Sequence, residues 1–439
     1  MPEPPPFGVE LRRRRVAAGL SLGALAERVH YSKGYLSKVE SGHNLASTGL
    51  ARLCDAALDA HGELLHLLPA IPARGGPDDQ PDDADRGRPE TWLVGIGDNG
   101  GYFTPVGDGP MADSTATVLG MVFGGRAGVD TRAALAPFLT RFDEARNLGQ
   151  VAGSVVVFPL VIVETRTLQL LAEHAPPNEQ PALFQLAARY AEFAGWMAQE
   201  AGDDRMAWWL TMKAVGMADA AGDPSLRPYA LVRRADIALY RDDALSVIEL
   251  ASRAQQQHRA PLRIRGLAAQ REAQGHALAG DHTACLRAIE RSAVLLGDAA
   301  SGAQAGPALG TARTPDLVAL TQGWCLHDLG RPAEAGEILD AGIALFEPWA
   351  HRARVRYQAR AALAYATAGE LERASELIIA LLDQAQILDS ATIRHDLRSL
   401  AKVLGRWRSQ PTVCALLPAL TAVLQEKRNA LAADMLRSH

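Results

Sequence analysis

The chain has little of what marks secreted, metal-bound or β-rich proteins. Only four of its 439 residues are cysteine, Cys54, Cys285, Cys325 and Cys414, and they fall at no metal-like spacing. That excludes a disulfide framework and leaves reduced, mostly buried thiols in a cytoplasmic protein as the expectation. Aromatics make up 5%. β-Branched residues are sparse outside one run at 155–163, VVVFPLVIV, which is roughly half the ~18 residues needed to span a bilayer. The N-terminus MPEPPPFG has no apolar core of signal-peptide length, so no membrane partner is expected. There is no H-E-x-x-H, no G-x-S-x-G and no GK[ST], and the histidines His174, His258, His276, His282, His327, His351 and His395 are not grouped with ligand residues. Neither a catalytic centre, a metal nor a cofactor is expected.

What is there is alanine, leucine and arginine, a helical composition. At this length two or more domains are expected. The net charge is −5, yet Arg12–Glu40 holds seven basic and two acidic residues. A basic patch in an acidic chain is an electrostatic footprint for phosphate. In the same stretch Leu22, Leu25, Ala26 and Val29 fall on one helical face behind a Ser21 cap, and a turn at His30 and Tyr31 follows. Ser32 caps a second helix with Leu36 and Val39 inward and Lys33, Tyr35, Ser37 and Lys38 outward, and Gly42 ends it. Further helices are expected at 8–18, 48–58 and 61–68, five in all.

Residues 8–68, with LRRRRVAAGLSLGALAERVHYSKGYLSKVESG and its S-x-x-E-x-G ending at Ser37, Glu40 and Gly42, resemble the XRE (Cro/lambda-repressor) family of helix-turn-helix proteins. The resemblance implies double-stranded operator DNA as a partner and an ion pair between Arg15 and Glu40. Lys33, Gly34, Tyr35, Ser37 and Lys38 would face bases. Arg12, Arg13, Ser21, His43 and Asn44 would hold phosphates. Gly34 departs from the polar side chain many members carry, leaving more to Lys33, Lys38 and DNA shape. Ordinary surface charge is the plain alternative for the basic residues.

Beyond this head (1–69), residues 70–90 carry three Arg against five Asp and one Glu among Pro and Gly, and read as a flexible acidic linker. Within a 91–130 connector, Asn99-Gly100 between TWLVGI and YFTPV reads as a β-hairpin turn. From 131 to 439 the pattern is helical. Polar turns at Gly202, Arg241, Gly280, Gly330 and Gly369 recur at 39, 39, 50 and 39 residues, the long interval holding a Gly/Ala/Pro loop at 297–313. Such a period marks stacked helical hairpins. GDDRMAWWLTMKAVGMADAAGD and GRPAEAGEILDAGIALF are similar to tetratricopeptide repeats, although their period is longer. The fold class is therefore all-α: a five-helix head, a linker with a small hairpin, and an α-solenoid.

The first helices of these pairs would line an open concave groove with Tyr229, Arg233, Arg263, Gln270, Trp324, His327, Arg352, Arg356, Tyr357 and Arg360. Arginine and aromatic groups together suit a carboxylate or a peptide backbone. Solvated faces and internal salt bridges are the plain alternative. The whole resembles actinobacterial regulators that tether an XRE-type head to a tetratricopeptide-like sensor. That implies a homodimer with a signalling-peptide or small-molecule effector. The rival reading is a protein-interaction scaffold whose DNA binding is secondary.

Overall fold

The computed structural model describes residues 5–68, 91–97, 100–106, 130–300, 308–310 and 314–437. The acidic linker, the hairpin turn at 98–99, the stretch 107–129 and most of the 297–313 loop lie outside these residues. At that loop's start the preceding helix, His282–Ala300, runs on to its end.

The head has four helices: α1 (Phe7–Ala17), α2 (Leu22–Arg28), α3 (Lys33–Glu40) and α4 (Thr48–Ala57). Three are begun by the same device. Ser21, Ser32 and Ser47 each accept a hydrogen bond from the amide three residues on, at 3.0, 3.2 and 3.2 Å. His30 turns the chain between α2 and α3 in the left-handed region, at φ 52°. Leu11, Leu25, Leu36, Val39, Leu50 and Leu64 are buried together as the head's core. Gly8 lets α1 approach the end of α3, since a Cβ there would lie 2.2 Å from the Val39 carbonyl oxygen.

The expected fifth helix at 61–68 is not one. His61 and Gly62 have φ of 51° and 90°, which no α-helix accepts, and only one 3₁₀ turn forms, Leu65–Leu67. Asp55 takes the place of the helical ladder: its carboxylate accepts from the amides of Gly62, Leu64 and Leu65 at 2.6, 2.8 and 3.3 Å.

Strands β1 (Thr91–Gly97) and β2 (Gly100–Val106) pair antiparallel, with Thr91 opposite Val106, and lie against the helix Ser154–His174. The remaining helices among the described residues are α5 (Thr131–Val151), α6 (Ser154–His174), α7 (Gln180–Ala201), α8 (Asp204–Ala220), α9 (Leu226–Leu239), α10 (Ala244–Gln255), α11 (Leu262–Ala279), α12 (His282–Ala300), α13 (Leu317–Asp328), α14 (Pro332–Ile343), α15 (His351–Ala368), α16 (Leu371–Leu388), α17 (Ala391–Leu404) and α18 (Pro411–Arg437). Gly202, Gly280, Gly330 and Gly369, at φ 80–90°, supply the left-handed turns at four of the helix junctions. Helices α9, α11, α13, α15 and α17 pack side by side as an inner row. By length and composition alone α6 could cross a membrane, since the helix extends well past the nine-residue run. Val157, Val161, Ile162 and Leu168 of its inner face are buried.

The array does not stay open. Helix α17 returns to α7, and α15 to α5. Arg352 makes the closure, donating to Glu200 Oε2, Gly149 O and Ala152 O at 2.7 Å each. Ser390 and Thr392 hand two further hydrogen bonds to the same buried Glu200, at 2.5 and 2.9 Å.

Candidate DNA-binding head and array interior

Helix α3 is amphipathic by construction. Leu36 and Val39 are buried in the head, while Lys33, Gly34, Ser37 and Lys38 are exposed on the opposite side. Tyr35 is only partly exposed and stacks on Tyr31 with ring centroids 5.5 Å apart. An added Cβ at Gly34 would meet nothing within 4 Å.

Arg15 and Glu40 lock α1 to the end of α3. The guanidinium donates through Nε at 2.6 Å and Nη2 at 2.9 Å to the two carboxylate oxygens, and through Nη1 to the Leu20 carbonyl at 2.9 Å. Both side chains are mostly buried, so this pair positions the reading helix and does not face solvent. Arg13 is bound twice by Glu10, at 2.7 and 2.5 Å. Arg13 and Arg14 hold the Glu10 carboxyl down at about 2, so it stays ionised. Arg12 is exposed beside them. The Ser21 hydroxyl oxygen already accepts from its own helix, and His43 Nδ1 lies 2.8 Å from Ser41 Oγ. Asn44 donates its amide to the Lys38 carbonyl, folding the loop back beneath α3. Burial pushes the Cys54 thiol up to about 12, which leaves it a core residue without nucleophilic character.

The head is seated on the array's turns. Arg52 of α4 donates toward Asp328 at 3.5 Å and to the Leu278 carbonyl at 3.4 Å. Gly330 meets the Arg52 backbone so closely that a Cβ would lie 2.3 Å from its oxygen, and Gly280 meets Gly62. Arg406 lies over the Tyr31 ring, 4.3 Å from its centroid, and His30 faces Trp407. These contacts use α4, the segment after it and the α2–α3 turn. The exposed residues of α3 take no part in them.

Closure of the array changes the expected groove into a chamber of about 150 Å³. Of the ten residues expected along the groove, Tyr229, Arg233, Arg352, Arg356 and Tyr357 line it. The others do not. Arg263 donates to the Leu309 carbonyl and Gln270 to the Leu317 carbonyl. His327 sits against Asp328. Arg360 is paired with Asp396 at 2.8 Å and lies 3.3 Å from the centroid of the buried Trp324 ring. The arginine stripe is thus largely internal: Arg352 closes the ring, Arg356 donates to the Tyr240 hydroxyl, and Arg360 holds α17. The α7 residues Glu192 and Trp196 also line the chamber. They were not legible as site residues, because their partners lie far along the chain.

No curated protein and no solved structure matches the chain. Residues 6–68 match the family model described as a helix-turn-helix domain, and the head is therefore a helix-turn-helix DNA-binding domain.

Proposed function

We propose that the protein is a sequence-specific transcriptional regulator of the XRE type rather than an enzyme, working in the cytoplasm as a homodimer whose tetratricopeptide-like array takes an effector. The observation that carries this reading is the orientation of the head. Its cationic α3 face is exposed while its opposite side is occupied by the array. A recognition helix needs that face free to enter the major groove. Lys33 and Lys38 supply charge to phosphate or base edges, and Arg12 extends the basic surface along α1. One head reads only a few base pairs, so two copies on half-sites about one helical turn apart supply the specificity that one lacks.

The array supports the input half of this reading. Its helical pairs enclose a chamber with buried cationic groups, and its turns hold the head. The test is electrophoretic retention of the DNA upstream of the protein's own gene against random DNA of the same length. Upstream DNA should be retained at lower protein concentration. Lys33→Ala with Lys38→Ala should weaken retention at least about tenfold and lower the salt slope by about one per lysine. Unchanged retention would sink the proposed role of α3.

A further inference from the structure

We propose that the chamber between α7, α9, α11 and α15 is a binding site for a small organic carboxylate, gripped by the Nε–Nη2 edge of Arg233. The proposal rests on reading the array as the input half of the regulator, and it narrows the effector to one chemical class.

Arg233 is 6% exposed, and neither its Nε nor its Nη2 has a hydrogen-bond partner. Its nearest acids stand off. Glu192 Oε1 is 3.8 Å from Nε, and Asp236 Oδ2 is 3.6 Å from Nη1, on the other nitrogen. Buried guanidinium donors without partners are costly, since each has lost its water. The two vacant donors are the adjacent pair that a carboxylate takes side-on, with two parallel hydrogen bonds. Other lining arginines already have partners: Arg352 is spent on Glu200, and Arg189 on Asp223 at 2.6 Å.

Size and charge narrow the ligand further. A cavity of about 150 Å³ holds a molecule the size of benzene. Trp196, Leu267 and Tyr357 give the ligand's body an apolar wall. Apart from Arg189 and the Arg352–Glu200 pair, Arg146, Arg233, Arg271 and Arg356 line the chamber with Glu192 and Asp236, a positive excess. Burial raises the Glu192 carboxyl, which favours its neutral form and enlarges that excess. An anion fits this balance, and the apolar wall favours one with a hydrocarbon body over inorganic phosphate.

The test is calorimetric titration of the full-length protein with benzoate, followed in parallel by tryptophan fluorescence. Benzamide is the neutral isostere and inorganic phosphate the competing anion. Benzoate should bind one per chain, with benzamide and phosphate each at least tenfold weaker. Arg233→Gln and Arg233→Lys should both weaken benzoate at least tenfold, since lysine keeps the charge but loses the fork. The wild-type comparison of benzoate with benzamide stands even where a variant folds poorly. Absence of binding by benzoate, phenylacetate and hexanoate would overturn the proposal, as would equal binding of benzamide or of phosphate. Undiminished benzoate binding by Arg233→Gln would overturn it too. Benzoate binding that leaves DNA retention unchanged would uphold the site and count against the sensor reading alone.

Discussion

At the residue scale, two charged pairs have different jobs. Arg15 and Glu40 join α1 to α3 with both side chains mostly buried. Removing one partner strands the other, which costs about 2–4 kcal/mol for a pair of this kind. Glu40→Ala should therefore speed hydrogen exchange of the α1 and α3 amides while leaving the array's amides unchanged. Asp328 faces Arg52 at the seat of the head. Burial pushes its carboxyl up, but the His327 hydrogen bond and the Arg52 charge outweigh that and hold it at about 2, against an ordinary 3.8. A depressed carboxyl contributes stability that is complete above its ordinary value and is lost as pH falls through its folded one. The Tm gap between wild type and Asp328→Asn should be flat above pH 5 and close between about 3.8 and 2. A gap that widened on acidification would show that Asp328 is not held ionised by its neighbours.

At the element scale, legibility followed the range of the interactions. Ser21 and Ser32 announce their helices, and Ser47 begins α4 in the same way, because a cap is settled within three residues. The turn glycines do the same at the other end. The 61–68 segment misleads because its leucines have helical spacing, while Asp55, several residues back, captures its amides for a different turn. The closure of the array is the extreme case. Arg352 and Glu200 are 152 residues apart, and nothing local distinguishes Arg352 from a solvent-facing arginine of the same stripe. Helix α3 carries its own prediction. Gly34 is exposed, helical and uncrowded, so Gly34→Ala should stabilise the head by roughly 0.5–1 kcal/mol. Slower exchange of the α3 amides with DNA retention kept within about threefold is expected. A large loss of retention would mean that the backbone at Gly34 must approach DNA closely.

At the scale of the whole molecule, the head is held by its rear face on the turns of the array. Arg52, Gly330, Gly62, Gly280 and the Arg406–Tyr31 contact make that seat from both sides. A seated head has one orientation relative to the array. In the proposed homodimer two heads would then have one separation, and half-sites would have to match it, about one helical turn of DNA. The chamber proposed for a carboxylate lies in the body that would set this separation, so a ligand there would act on DNA only through its differential affinity for arrangements of the array. Arg52→Ala with Arg406→Ala removes the polar part of the seat without touching α3 or the chamber. Solution scattering should then give a larger radius of gyration. Wild-type retention should fall at least tenfold when five base pairs are inserted between half-sites, because the second half-site turns to the far side of the duplex. The double variant should lose much less on that insertion, its heads no longer being fixed. Equal sensitivity of both proteins to the insertion would mean that the seat does not set the spacing and that the array acts on the heads by another route.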